Sequence, residues 1–183
     1  MGQPETPLSA ALSSGRTAIV KLLIKSGVSV KGINVLAEAK NYDIAKFFID
    51  ELGANVNGYH HNSKTPLCSA IDRSNDELVR LLLDVGADVT ESCCLTGFKP
   101  LWLAMNSSYV AMVSVLLENG ADPNGAIFKG LSPLQHAIRL RSFELVVLLM
   151  KFTVHLLTQK VKWEELCSSL PQQKRVAQKL SAC

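Results

Sequence analysis

The stretch "TPLCSAIDRSNDELVRLLLDVGADV", residues 65–89, decides how this chain folds. Thr65 before Pro66 is a helix N-cap followed by a proline suited to the first turn. Leu67 and Ala70 supply an apolar knob and a small residue. Ser74-Asn75 breaks the pattern. Leu78, Val79, Leu81, Leu82 and Leu83 then return at helical spacing. Gly86 is placed to end the second helix in the left-handed conformation that glycine tolerates. The stretch predicts two short helices and a tight turn. It holds no nucleophile with a base, no phosphate loop and no set of metal ligands.

The unit is written several times. "TPLSAAL" from Thr6, "KPLWLAM" from Lys99 and "SPLQHAI" from Ser132 share its frame. "IVKLLIKSG", "MVSVLLENG" and "LVVLLMKFT" follow at fixed distance. A weaker copy, "GINVLAEAKNYDIAKFFIDELGANVNG", fits between the first two and lacks the Thr-Pro opening. Units therefore start near residues 6, 31, 65, 99 and 132. In this frame Leu8, Leu67, Leu101 and Leu134 are the first buried knobs. Ala11, Ala70, Ala104 and Ala137 are small because a neighbouring helix comes close. Gly27, Gly53, Gly86 and Gly120 end the second helices. One such unit cannot bury its own apolar face, whereas stacked neighbours can, so the repetition is the core.

Over about residues 6–153 the chain resembles ankyrin-repeat proteins, on "TPL", the alanine three residues beyond that leucine, the paired leucines and "GAD" before a loop. The resemblance implies an all-α solenoid of about five helix pairs plus a degenerate capping pair, with short β-hairpin fingers between units. It places the repeat domain at 1–153 and the capping helices or tail at 154–183. The chain departs from the family in two places. The histidine usual after "TPL" is replaced by Ser9, Cys68, Trp102 and Gln135. The family's "GH" survives only as Gly15-Arg16, and elsewhere reads Ser74-Asn75, Ser108-Tyr109 and Arg141-Ser142. Those losses are expected to remove inter-loop hydrogen bonds. With no capping unit before Thr6, Leu8 and Leu12 are expected to be partly exposed or covered by a partner.

The fingers are expected in "GANVNGYHHNSKT", "GADVTESCCLTGFK" and "GADPNGAIFKGLS", with Gly97 and Gly130 as turn glycines and Ser63 in the equivalent place. The finger between the first and second units is expected to be truncated or absent, which should interrupt the binding groove near Lys31. The resemblance implies that partners bind finger tips and the exposed side of each first helix. By frame, the finger positions are His61, Asn62 and Lys64; Leu95, Thr96 and Phe98; Phe128, Lys129 and Leu131. The helix positions are Asp72, Arg73, Asn106, Ser107, Arg139 and Leu140. A physical argument points the same way. Phe98 and Phe128 are large apolar residues on loops, each either packed on its own finger or exposed. If exposed, they form an apolar centre flanked by Lys64, Lys129, Arg73 and Arg139, the anatomy of a binding hot spot. The expected partner segment is acidic and apolar.

Composition narrows the function classes. Apolar residues make up 48% of the chain and aromatics only 6%, so small aliphatic side chains must build the core. Residues 1–150 carry 13 Lys/Arg against 14 Asp/Glu, which leaves no basic field for nucleic acid. Residues 151–183 carry 6 against 2, a mildly basic tail. The longest apolar run, Leu145–Met150, is far short of a membrane span, and "MGQPETP" has no signal-peptide core. "MGQPET" formally fits a myristoylation pattern, against which Pro7 after Thr6 counts. The expected compartment is the cytoplasm or nucleus, with Cys68, Cys93, Cys94, Cys167 and Cys183 reduced. His60-His61 and Cys93-Cys94 lie on neighbouring fingers. Adjacent residues of an extended segment point to opposite sides, so they read as loop residues rather than zinc ligands. His136 and His155 read as satisfied packing residues. No cofactor, metal or catalytic set is expected.

Trp163, Leu166, Cys167 and Leu170 form one apolar stripe, Pro171 interrupts it, and Val176 and Leu180 follow. The plain reading is a sixth, degenerate unit closing the stack. The alternative is that "WEELC" resembles the elongin-contacting helix of the SOCS box, which implies a ubiquitin-ligase substrate receptor. Trp163 and Pro171 depart from that pattern. Two function classes follow: a protein-binding module or scaffold, and a ligase adaptor.

Overall fold

The computed structural model describes residues 6–30, 33–58, 64–93 and 97–154. Among them run α1 (Pro7–Ser13), α2 (Thr17–Lys25), α3 (Val35–Glu38), α4 (Tyr42–Leu52), α5 (Pro66–Asp72), α6 (Asp76–Asp84), α7 (Pro100–Asn106), α8 (Val110–Glu118) and α9 (Pro133–Arg139). A tenth helical segment, α10, covers 143–154. These make five helix pairs in the order expected. The tail calls on Trp163 to Leu180, the sixth unit among them, lie outside the described residues.

Local chemistry starts each first helix. The hydroxyls of Thr6, Thr65 and Ser132 accept the backbone N–H three residues on, from Ser9, Cys68 and Gln135. Lys99 has no capping side chain, and Pro100 alone marks that start. In the weak second unit Asn34 takes over as cap, accepting from Ala37. The predicted glycines Gly27, Gly53, Gly86 and Gly120 all have positive φ, from 58° to 93°.

The first helices pack in succession, α1 on α3, α3 on α5, α5 on α7 and α7 on α9. Behind them α2 packs on α4 and α4 on α6. One continuous core results, running from Leu8 to Leu149. Ala11, Ala70, Ala104 and Ala137 are buried where these helices meet. Two burial expectations are corrected. Leu8 and Leu12 are fully buried, because α2 and α3 both pack on α1. Leu134 is 39% exposed, because α9 is the last first-helix among the described residues. Ile138, Phe143, Val147, Met150 and Val154 are exposed on α9 and α10 as well.

The units are also tied laterally, by side chains other than the family's histidine. Asn41 Nδ2 donates to the Gly15 carbonyl at 3.0 Å, and Asn75 Nδ2 to the Lys40 carbonyl at 2.9 Å. The Tyr109 hydroxyl donates to the Asp76 carboxylate. On the loop side, Asn57 accepts from Asp88 N–H and donates to the Gly86 carbonyl. Asn41 and Asn75 each also cap their own second helix, by accepting from Ile44 and Leu78. One amide thus serves both as helix cap and as lateral tie.

The expected β-hairpin fingers reduce to less. Among the described residues there is no strand, only an isolated antiparallel bridge between Phe128 and Leu131. Lys129 and Gly130 between them have φ of 46° and 76°, as a tight type I′ turn requires. The thiol expectation is corrected too. Cys68 and Cys93 form a disulfide, with both residues buried and their Cα atoms 5.5 Å apart.

Candidate functional site

Backbone hydrogen bonds link the fingers to the start of each unit. Thr65 N–H donates to the Cys93 carbonyl at 3.1 Å, and Cys93 N–H to the Phe98 carbonyl at 2.6 Å. One unit further, Lys99 N–H donates to the Ile127 carbonyl at 3.2 Å, and Ile127 N–H to the Leu131 carbonyl at 2.9 Å. This ladder fixes the spacing between Phe98 and Phe128.

Their rings meet. Phe98 and Phe128 have centroids 4.1 Å apart, and Phe98 lies almost parallel on Trp102 at 4.0 Å. Trp102 is also 5.5 Å from Phe128 and 5.8 Å from His136. Lys129 Nζ sits 5.1 Å above the Phe128 ring. Such ring pairs contribute about 0.5–1.5 kcal/mol each beyond area burial. Phe98, Trp102 and Phe128 are each half-buried, so the stack is held by its own members and still presents ring surface to solvent. The phenylalanines were expected either packed on their own fingers or exposed; instead they are half-buried and pack across neighbouring fingers, on each other and on Trp102.

Other expected positions divide. Lys64 and Asp72 form an ion pair with each other and neutralise one another. Arg73 turns toward the second unit, where Nη1 donates to the Ala39 carbonyl at 3.1 Å and its charge faces Glu38. Burial raises the Glu38 carboxyl above its ordinary value and Arg73 partly offsets this. Leu131 anchors the finger turn, its N–H donating to the Phe128 carbonyl, and Leu140 packs against the core. Asn106, Ser107, Lys129 and Arg139 are exposed. His61, Asn62, Leu95 and Thr96 lie outside the described residues, as do His60, Cys94 and His155. So does Lys31. An apolar cleft of about 270 Å³ is lined by Val30, Ile33, Leu36, Phe48, Leu52 and Ala54 among others.

Trp102 and His136 were not among the expected site residues. The signal for Trp102 was present: a large aromatic stands where the other units put Ser9, Cys68 and Gln135. His136 is buried, yet its Nε2 has no hydrogen-bond partner among the described residues, where it was expected to be a satisfied packing residue. Burial pushes its pKa below the ordinary imidazole value, and the Arg139 guanidinium adds to the effect. Among the described residues no group of three or more His, Cys, Asp or Glu could hold a metal ion, and no helix is long and apolar enough to cross a membrane.

Stacked helix pairs with projecting fingers and one continuous core define a helical-repeat solenoid. A family model described as ankyrin repeats (3 copies) matches residues 33–127, and one described as ankyrin repeat matches residues 5–36. The chain belongs to the ankyrin-repeat family. It is 31% identical over 153 residues to "Ankyrin repeat and KH domain-containing protein mask-1" of Caenorhabditis elegans, covering 77% of this chain and 6% of that protein. It is 32% identical over 127 residues to "Alpha-latrocrustotoxin-Lt1a" of Latrodectus tredecimguttatus, covering 61% and 9%. It is 26% identical over 144 residues to "B-cell lymphoma 3 protein homolog" of Mus musculus, covering 73% and 32%. The match thus spans a third or less of each of these relatives. Ankyrin repeats are protein-binding modules, and this chain carries that architecture.

Proposed function

We propose that the chain is a protein-binding module, not an enzyme, and that it holds an acidic, apolar segment of its partner on the third to fifth units. The observation that carries this reading is the half-exposed stack of Phe98, Trp102 and Phe128 on neighbouring fingers. Aromatic rings fixed in advance bind at low entropic cost and are typical binding anchors. Lys129 and Arg139 supply exposed positive charge beside the stack, whereas Lys64 is already paired with Asp72. A partner carboxylate next to an aromatic or leucine side chain matches that rim. By the sequence frame, His61, Asn62, Leu95 and Thr96 are further candidate contacts. No cofactor takes part. The cytoplasm or nucleus remains the proposed compartment.

The test is a double variant, Phe98→Ser with Phe128→Ser, used as bait in affinity capture from cells. Capture should weaken at least about tenfold, or 1.4 kcal/mol, with the helical circular dichroism spectrum unchanged. Unaltered capture by the folded double variant would rule this surface out. The ligase-adaptor alternative predicts elongin capture that depends on Trp163. It rests on the tail sequence alone and no structural observation favours it.

A further inference from the structure

We infer that the Cys68–Cys93 bond is a redox-operated anchor for the finger that carries Phe98. The inference rests on the reading of the aromatic stack as the partner-binding face and adds its regulation. The bond joins two parts of the face. Cys68 lies on α5 three residues after the Thr65 cap, and Cys93 begins the finger. Cys93 holds Phe98 directly through the bond from its N–H to the Phe98 carbonyl. Phe98 in turn meets both Trp102 and Phe128, which also meet each other. Without the sulfur link, the described ties of Cys93 to α5 and its cap reduce to one hydrogen bond, from Thr65 N–H to the Cys93 carbonyl.

The link is not part of the repeat. The frame puts Ser9, Trp102 and Gln135 where Cys68 stands, and Ile127 where Cys93 stands. Neither cysteine is needed to build a unit, and the core around the pair is complete in other units without sulfur. Both residues are buried, so exchange requires the finger to move off α5, and the bond and the finger position are therefore coupled.

The oxidant is a low-molecular-weight disulfide such as oxidised glutathione. One cysteine thiolate attacks it and releases one glutathione thiolate, leaving a mixed disulfide. The second cysteine thiolate then attacks the protein sulfur of that bond, forming Cys68–Cys93 and releasing the second glutathione. The two protein thiols lose two protons and two electrons. The two glutathione thiolates take up the protons. A dithiol reverses both steps. Oxidised, the chain presents a fixed ring stack; reduced, the Phe98 edge of the stack loosens and the partner must pay the entropy of ordering it.

The experiment compares full-length protein equilibrated with oxidised glutathione and with dithiothreitol. After alkylation and trypsin, the oxidised sample should yield a linked pair containing Cys68 and Cys93. A Cys94→Ser variant confirms that Cys93 is the partner. Hydrogen exchange should then show the Thr65 and Cys93 amides exchanging about tenfold faster in the reduced protein, with α8 unchanged. Cys68→Ser, which puts at this position the residue the first unit has, should behave as reduced under both conditions. Equal finger exchange in the two states, or no linked pair, would overturn the anchor. The surface itself is probed separately with a fluorescein-labelled pool of ten-residue peptides made of Asp, Glu, Leu and Phe. Oxidised protein should bind the pool at least about fivefold more tightly than reduced. Equal binding that is lost in Phe98→Ser would leave the surface standing and refute its regulation. A pool that binds neither form, with finger exchange still redox-dependent, would refute the surface reading and support the anchor.

Discussion

Asn75 performs two jobs with one side chain, and substitution can separate them. Its Oδ1 accepts the Leu78 N–H at 3.1 Å and caps α6. Its Nδ2 donates to the Lys40 carbonyl at 2.9 Å and ties the third unit to the second. Losing a side-chain cap to alanine costs about 1 kcal/mol. The lateral bond is solvent-exposed, so its loss leaves no dry unpaired carbonyl and contributes about 1 kcal/mol at most. Asn75→Ala should therefore lose about 2 kcal/mol. Asn75→Ser keeps a capping oxygen, lacks the reach and the amide donor, and should lose about 1 kcal/mol. With a urea slope of roughly 2 kcal/mol/M, the midpoints fall by about 1 M and about 0.5 M. Urea unfolding followed by far-ultraviolet circular dichroism measures both. Asn75→Ser indistinguishable from the parent would show that the lateral bond contributes nothing. Asn75→Ser equal to Asn75→Ala would show the same of the cap. Asn41 repeats the arrangement one unit earlier, capping Ile44 and donating to Gly15. Because Asn75 binds the carbonyl of Lys40, the residue next to Asn41, losses in the double alanine variant should not add, deviating by about 0.5 kcal/mol or more.

Three further outcomes are expected. Ser108 has φ of 53°, a left-handed conformation that penalises a residue with a Cβ by about 1–2 kcal/mol, so Ser108→Gly should raise stability by about 0.5–1 kcal/mol after glycine's extra chain entropy; an unchanged or lower urea midpoint would contradict this. Ala104 is buried, so Ala104→Glu should lose several kcal/mol, on the order of a broken core, while Lys129→Glu on its exposed turn should cost about 0.5 kcal/mol; equal melting losses would break the assigned frame. The pKa of His136 is lowered in the folded state, so its contribution to stability is complete above the unfolded value near 6.5 and declines as pH falls through it toward the folded value. His136→Phe, which keeps a ring beside Trp102 and cannot titrate, should lose less stability than the parent between pH 7.5 and 5.5, and an equal loss in both would exclude this source.

What could be read along the chain, and what could not, follows from how a solenoid is built. Pro66, Leu67, Ala70 and Gly86 have counterparts in most units that meet the same demands, and those demands are local: start a helix, bury a knob, admit a neighbour, end a helix. Repetition multiplies that evidence, so the frame was legible even in the unit that lacks Thr-Pro. Lateral contacts are different. They join residues about one period apart whose identities the local pattern leaves open. Nothing local says that Asn75 reaches Lys40, that Tyr109 reaches Asp76, or that Leu134 stays partly exposed. The same holds for the site. Phe98 and Phe128 stood out as loop aromatics, but Trp102 was read only as a missing histidine, because its meaning depends on two fingers converging above it. The cysteines show how the period could have been used. Cys68 meets Cys93 across 25 residues, and the same separation in the next unit relates Trp102 to Ile127, the residue before Phe128. The position three residues beyond the cap meets the next finger at Cys68 and lies beneath two fingers at Trp102. It is filled by Ser9, Cys68, Trp102 and Gln135, four unlike side chains in a frame that otherwise repeats. A position that the fold constrains in place but not in kind is where selection on a partner can act, and in this chain that position supplies both the ring beneath the fingers and the sulfur that holds one of them.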